Sequence, residues 1–515
     1  MPRQFRPGRP SAVLLALSLC AASAFAAGEG DGTQRAGLRP TLPASGNGGT
    51  QLSQSNDQLF ASQPGSGAGD TGFVSAEQAQ YRAKQRKKKK PETVIVTTPA
   101  RPAPPLQERT QKTNTPEGLI TSTIPSTAGP VKRAKPEEEP YGPVGFHAGA
   151  FLLKPSIEVS EGYDDNPLRV QGGRGSPFTT LSTALSAQSD WSRHSLSFDL
   201  RGSFTHYSDI DHNDRPDASA IVRGRIDVSK DTRIELEEKA LLTTQSAGTP
   251  DSVSGAKRPP NIYTLGSTVG IVQTFNRLEL GLYGGFERNI YENAELLGGG
   301  ILDLAQSDYN SYSTRLRASY EVTGGVKPFI EATVDTRVFD DTIDSLGLRR
   351  GSDGVKADIG VTVDRPEILK GEASIGYGER TYKDPTLPNI SGLMVDASLV
   401  WKATALTKVT FAVSSQIGES TLTAASGVFT HEGKVTVDHA FRTWLIGSVF
   451  ASYGIDDYRG ISQIDHRITY GAALTYYFTR SLALRGELRQ ERLTSNVPGN
   501  NYTADIALIG LRMQR

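Results

Sequence analysis

From Leu152 to Arg515 the chain alternates apolar and polar residues in runs of about a dozen, and the breaks between runs are alternately short and long. The runs span 153–163, 178–189, 194–208, 217–228, 232–243, 262–275, 277–291, 309–322, 326–340, 353–364, 371–383, 392–403, 406–417, 427–439, 443–456, 464–478, 480–492 and 502–513. They predict about eighteen strands, within a range of roughly 16 to 18. Short breaks fall at 190–193, 229–231, 276, 323–325, 404–405, 440–442 and 479, with longer ones between them, including 247–260, 293–307, 341–351 and 384–391. A period of two places one row of side chains on each face of a strand. In lipid every backbone N–H and C=O needs an internal partner, which a closed antiparallel barrel supplies without helices. The expected fold is all-β, a transmembrane antiparallel up-and-down barrel.

Single runs make the two faces explicit. Leu196, Phe198, Leu200, Gly202 and Phe204 share one face, while Ser197, Asp199, Arg201, Ser203 and Thr205 share the other. Val355, Ala357, Ile359, Val361 and Val363 oppose Lys356, Asp358, Gly360, Thr362 and Asp364. Soluble sandwiches alternate too, but their strands are nearer five or six residues and their turns are not sorted by length. Many runs here reach the roughly 9–11 residues that a tilted membrane strand requires. Aromatic residues gather toward run ends, as at Phe275, Tyr291, Tyr309, Tyr312 and the cluster Tyr476, Tyr477 and Phe478, as interfacial girdles would.

Composition narrows the picture. At 37% hydrophobic residues and a mean hydropathy of −0.37, the chain holds no bundle of membrane helices. A barrel can look this polar, because only alternate residues face lipid. Lys+Arg and Asp+Glu both number 56, so net charge gives no case for nucleic acid. Arg3, Arg6 and Arg9 precede an apolar stretch from Ala12 to Ala22, and Ala24-Phe25-Ala26 offers a cleavage site, so residues 1–26 read as a secretory signal peptide. The only cysteine, Cys20, lies inside that leader, with Leu19 where a lipidation box wants a small residue. The mature chain then carries neither disulfides nor thiolate chemistry. Residues 27–145 form a Gly/Ser/Pro/Lys-rich zone with a basic block at Arg82, Lys84, Arg86 and Lys87 to Lys90. Its composition cannot offset the entropy of ordering, so a disordered periplasmic extension is expected ahead of a barrel over 146–515.

Function on such a scaffold would sit on the polar face. By parity, Arg223, Arg225, Arg315, Arg317, Arg337, Lys356, Arg380, Arg485 and Arg489 point inward, and so do Glu235, Glu237, Glu279, Glu287, Glu321, Glu331, Asp335, Asp358, Glu372, Glu487 and Glu491. The signs interleave on neighbouring strands, where they can pair across the wall. A filter for ions of one sign would need clustered charge. A near-neutral, hydrogen-bonding lumen suits polar solutes, sugars included. No catalytic constellation emerges, so no enzyme is expected. The seven histidines show no metal-ligand spacing. His206 and His212 flank Asp209, Asp211 and Asp214, a loop that could bind a divalent cation weakly. No metal or cofactor is expected.

Two stretches carry resemblances. Glu92-Thr93-Val94-Ile95-Val96-Thr97-Thr98 resembles the energy-coupling box of TonB-dependent transporters, an extended peptide that pairs with a partner's sheet edge. The folded plug of that family has no counterpart in the Pro- and Thr-rich residues that follow. The segment Lys154 to Pro167, with its Tyr163-Asp164-Asp165-Asn166 turn, resembles the opening strand of the outer-membrane β-barrel porin families of proteobacteria. The closing stretch is similar to theirs at Asp456-Asp457-Tyr458, Leu474 to Phe478 and Asn501-Tyr502-Thr503. The resemblance implies an outer-membrane location, and relatives include barrels encoded with exopolysaccharide and capsule secretion machinery. Such barrels commonly finish on an aromatic residue read by the assembly machinery, whereas this chain has Arg515, which implies an internal assembly signal.

The leading expectation is a porin-like passage for polar solutes, with a surface polysaccharide as one candidate cargo. A structural or adhesive barrel working through its external loops is the alternative, and an energised transporter using residues 92–98 is the third. Expected partners are outer-membrane lipid and lipopolysaccharide, the barrel-assembly machinery, and periplasmic polysaccharide-export components or peptidoglycan.

Overall fold

A computed structural model describes residues 141–515 apart from 211–212, 246–255, 297–298 and 421–424. The leader, the low-complexity zone up to residue 140 and the Glu92–Thr97 peptide lie outside the described residues. The wall consists of β1 (Phe151–Asp164), β2 (Ser176–Ser189), β3 (Ser195–Tyr207), β4 (Arg215–Asp227), β5 (Thr232–Thr244), β6 (Asn261–Phe275), β7 (Leu278–Tyr291), β8 (Tyr309–Tyr320), β9 (Val326–Phe339), β10 (Ser352–Arg365), β11 (Leu369–Tyr382), β12 (Ile390–Lys402), β13 (Thr407–Gly418), β14 (Gly427–Arg442), β15 (Leu445–Arg459), β16 (Gln463–Thr479), β17 (Leu482–Ser495) and β18 (Tyr502–Gln514). Each predicted run becomes one of these strands, and ends differ by only a few residues.

Every strand pairs antiparallel with the next, and β18 pairs with β1 from Ser156 opposite Gln514 to Asp164 opposite Ile506, which closes the barrel. Following the registers once round accumulates a stagger of roughly 22 residues, which for this strand number corresponds to a tilt of about 40° and a backbone radius of about 17 Å. Closure removes the free edges that lipid would not tolerate, except where β12 and β13 part beyond Ala397 and Val413.

Alternation decides which face meets lipid. Val355 and Ile359 of β10 are exposed, while Lys356 and Asp358 between them are buried. Exposed aromatic residues form two levels. Tyr163, Tyr263, Tyr312, Tyr377 and Tyr453 lie toward the long-loop end, and Phe275, Tyr320, Trp401, Phe441, Tyr476 and Phe478 toward the short-turn end. Trp401 is level with Leu369, and the stretch Leu369–Tyr377 separates the levels by roughly 20 Å at this tilt. That spacing approaches the apolar band of an outer-membrane barrel, about 25 Å.

The connections sort by end, with one exception. The turn at 276–277 is a two-residue hairpin in which Asn276 takes φ 59°, a conformation Asn tolerates better than most residues. On the long-loop end, however, 460–462 makes only a tight turn, because Gly460 adopts φ 96° and lets β15 and β16 run further than their hydrophobic pattern. Residues 146–148 fold back on 151–153, and Tyr141 stacks on Tyr477 at 5.6 Å. Gln514 donates to the Tyr141 carbonyl at 2.8 Å, so the two ends of the described chain meet at the short-turn rim.

Candidate pore lining and mouth

The charged residues opposite the apolar rows form paired chains along the enclosed face. Arg223 of β4 donates to Glu237 at 2.9 Å and to Asp199 of β3 at 3.2 Å. Arg225 pairs with Asp227 at 2.7 Å. Glu235 accepts from Arg233 at 2.6 Å and from the Tyr283 hydroxyl at 3.1 Å, and Arg233 reaches on to Glu279 at 3.0 Å. On the next strands Arg315 stands 3.9 Å from Glu331 and 4.3 Å over the Tyr283 ring. Arg317 contacts Glu331 at 3.3 Å and Glu372 at 2.6 Å, with its guanidinium 3.6 Å over Phe329.

A further buried part of this network lies on β9 to β12. Lys356, 1% exposed, bridges Asp396 at 2.7 Å and Asp358 at 3.1 Å. Arg380, with no exposed surface, binds Asp335 and donates to the Ser352 hydroxyl at 3.0 Å. On β17, Arg485 pairs with Glu487 at 2.5 Å, and Arg489 spans Glu487 at 3.0 Å and Glu491 at 2.9 Å. A buried charge is tolerable when paired and hydrogen-bonded, and pairing also cancels the field that a solute would meet. Glu321 differs from its neighbours in the parity set, because it falls beyond the end of β8, in the turn.

Residues without a periodic signal complete the mouth. Arg169, in the loop after β1, adopts φ 55° and pairs with Asp164 at 2.8 Å and Glu491 at 3.0 Å. Asn166 of the same loop donates to the Thr503 carbonyl at 3.0 Å, and Arg215 donates to the Pro167 carbonyl. That loop is therefore stapled across the mouth to β4, β17 and β18. From β9, Arg337 reaches Glu419 at 2.5 Å and the Ile417 carbonyl at 2.9 Å. Arg350 donates to the carbonyls of Ser420 at 3.0 Å and Ala425 at 3.2 Å. A small cavity between these groups is lined by Tyr291, Leu304, Phe339, Asp344, Arg350 and Glu419.

Parity could have supplied Arg233, Glu432, Asp456 and Arg467, which share the enclosed face. Arg467 contacts Asp456 at 2.7 Å and Glu432 at 3.4 Å. No sequence signal marks Arg169, Arg350 or Glu419, whose positions depend on how loops fold inward. Outside the wall, the Asp384 carboxyl is held down at about 2 by hydrogen bonds from the Thr386 hydroxyl and from the backbone N–H groups of Arg349 and Thr386. Asp340, just past β9, is also lowered, by its hydrogen bonds from Arg288. His206 bonds Asp214 at 2.7 Å, while Asp211 and His212 fall outside the described residues. No group of three metal-ligating side chains occurs among the described residues.

No curated protein matches the chain. Among solved structures, OccK2 (OpdF) of Pseudomonas aeruginosa, in complex with glucuronate, is similar at 12% identity and a TM-score of 0.38, covering 70% of this chain and 98% of its own. OpdO of Pseudomonas aeruginosa is similar at 14% identity and a TM-score of 0.37, over 70% of this chain and 97% of its own. OccAB4 of Acinetobacter baumannii shares 10% identity at a TM-score of 0.36, over 73% of this chain and all, 100%, of its own. The sequence itself matches, over residues 139–515, the family described as "Putative beta-barrel porin 2", and the chain belongs to that family of outer-membrane barrels.

Proposed function

We propose that this protein is a passive outer-membrane port for neutral or mixed-charge polar solutes, sugars among them, with the paired face as its lumen wall. The observation that carries this reading is the pairing itself. Arg223, Arg317, Lys356, Arg380 and Arg489 each have a carboxylate partner, so the wall offers hydrogen bonds without a net field. The N-terminal zone is periplasmic in this scheme, because an even strand number returns both ends of the barrel to one side. Its basic block would meet anionic surfaces such as peptidoglycan-associated polymers or an export partner. A surface polysaccharide is the long-polymer version of the same cargo. No residue is assigned a catalytic role.

Liposome swelling tests this directly. Proteoliposomes should admit neutral sugars and sugar acids of equal size at similar rates. Exclusion of every sugar by correctly folded barrels would contradict the proposal and favour a structural or adhesive barrel. Deleting 92–98 should leave swelling unchanged; dependence of uptake on that peptide in cells would instead favour an energised transporter.

A further inference from the structure

The β12–β13 ladder stops half-way. Pairing runs from Lys402 opposite Lys408 to Ala397 opposite Val413 and goes no further, although both strands continue toward the long-loop end. From Ile390 to Asp396, β12 still pairs with β11, and from Ser414 to Gly418, β13 still pairs with β14. The wall therefore splits along a seam. Above the split the edge of β13 turns in past the inner face of β12, while β14 stays laddered to β15 along its length, from Gly427 opposite Arg459. Arg337 of β9 reaches the Ile417 carbonyl of β13 at 2.9 Å. With β10, β11 and β12 between them, those strands would stand roughly 19 Å apart along an intact wall.

Exposure shows the same displacement. Ile417 and Phe429 continue the outward phase of Val413 and Val435. Val413 and Val435 are each 37% exposed, whereas Ile417 is 1% and Phe429 4% exposed. They are buried with Ile390, Met394, Tyr382 and Leu387, the first two of which belong to the inward phase of β12. In place of the missing ladder, the Ser415 hydroxyl stands 2.9 Å from the Val395 nitrogen and 3.0 Å from its carbonyl oxygen. Arg337 and Arg350 hold the tip through Glu419, Ser420 and Ala425.

The sequence of the displaced segment is nevertheless written for the wall. Continuing the existing register would place Ser414 opposite Asp396, Gln416 opposite Met394 and Ile417 opposite Leu393. Ile417 and Phe429 would then face lipid, and Ser414 and Gln416 would join Thr430 and Glu432, which already face the lumen beside Asp456 and Arg467. One segment thus has two self-consistent packings, the requirement for a switch.

We propose that the free edge of β13 at Ser414–Gly418, carried inward with β14, is a gate: turned in as seen here it narrows the lumen, and zipped back along β12 it opens it. This gate rests on the reading of the barrel as a pore. Cys20 is the only natural cysteine, so a Cys20→Ser background isolates engineered pairs. Met394→Cys with Gln416→Cys joins residues whose side chains point apart in the folded-in state and meet only when zipped. Met394→Cys with Ile417→Cys joins members of the buried cluster and locks the folded-in state. In planar bilayers, oxidising the 394/416 pair in the full chain should raise single-channel conductance at least about twofold, reversed by reductant, while oxidising 394/417 should not raise it. Crosslink yield, read by mobility on gels, follows the movement without relying on conductance. A 394/416 crosslink that fails to form even when Glu419→Ala frees the tip overturns the gate, and so does one that forms with conductance unchanged. Silence from every variant, with crosslinks formed, sinks the pore reading and the gate together.

Discussion

Tyr283 and Phe329 show how the enclosed face holds large rings beneath a crowded ion network. The registers set Tyr283 opposite Gly270 and Phe329 opposite Gly360, and each ring lies across the surface its glycine leaves bare. A Cβ at Gly270 would overlap the Tyr283 ring, and one at Gly360 the Phe329 ring, so neither site has room for a side chain. Gly360→Val should cost about 1–3 kcal/mol by overpacking, read as a lower urea midpoint of the refolded barrel; an unchanged midpoint would count against this packing. The high glycine content hints at such contacts but cannot say which glycine lies beneath which ring, because that depends on register between strands. Parity alone, by contrast, sets Lys356 and Arg380 opposite the lipid rows. Removing one member of the buried Arg380–Asp335 pair, as in Arg380→Met, should cost about 3–5 kcal/mol, and Arg380→Met with Asp335→Leu should recover most of it. Equal losses from single and double variants would refute that account.

At the scale of elements, the strands were legible because a period of two is written locally, residue by residue. Elements that bend across the mouth were not. The loop after β1 is held by Arg169, and the β13–β14 tip by Arg337 and Arg350, through partners hundreds of residues away or on strands that sequence does not align. The sequence pattern even argues against the inward fold, since Ile417 and Phe429 keep the lipid phase. Arg169→Ala should release the loop at 165–175, seen as faster protease cleavage there with the wall intact; unaltered cleavage would show that Asn166 and Pro167 suffice. The loop at 383–389 tucks Leu387 into the buried cluster beside the seam and is organised by Asp384. Because the folded carboxyl is depressed to about 2, its contribution is present above the ordinary aspartate value and is lost as pH falls through about 2. Amide protection in 383–389 should therefore persist at pH near 4 and drop near pH 2. Loss already near pH 4 would contradict this.

For the whole molecule, closure of β18 on β1, two aromatic levels and an apolar outer face make one object that belongs in a bilayer. Each property was readable from alternation and run ends, whereas the radius, tilt and seam emerge only from registers taken together. Ile359 lies well inside the outer apolar band, so Ile359→Arg should cost about 2–4 kcal/mol in lipid, whereas Tyr163→Arg at the rim should cost about 0–1 kcal/mol; equal costs would contradict this placement. The claim on which the functional account depends is that the paired face encloses a path for solute. Single-channel recording of the refolded chain in planar bilayers, with and without residues 27–145, tests it most directly. The account predicts discrete, stable steps with weak ion selectivity. Absence of steps from both forms, with heat-modifiable barrel mobility established on gels, would contradict it.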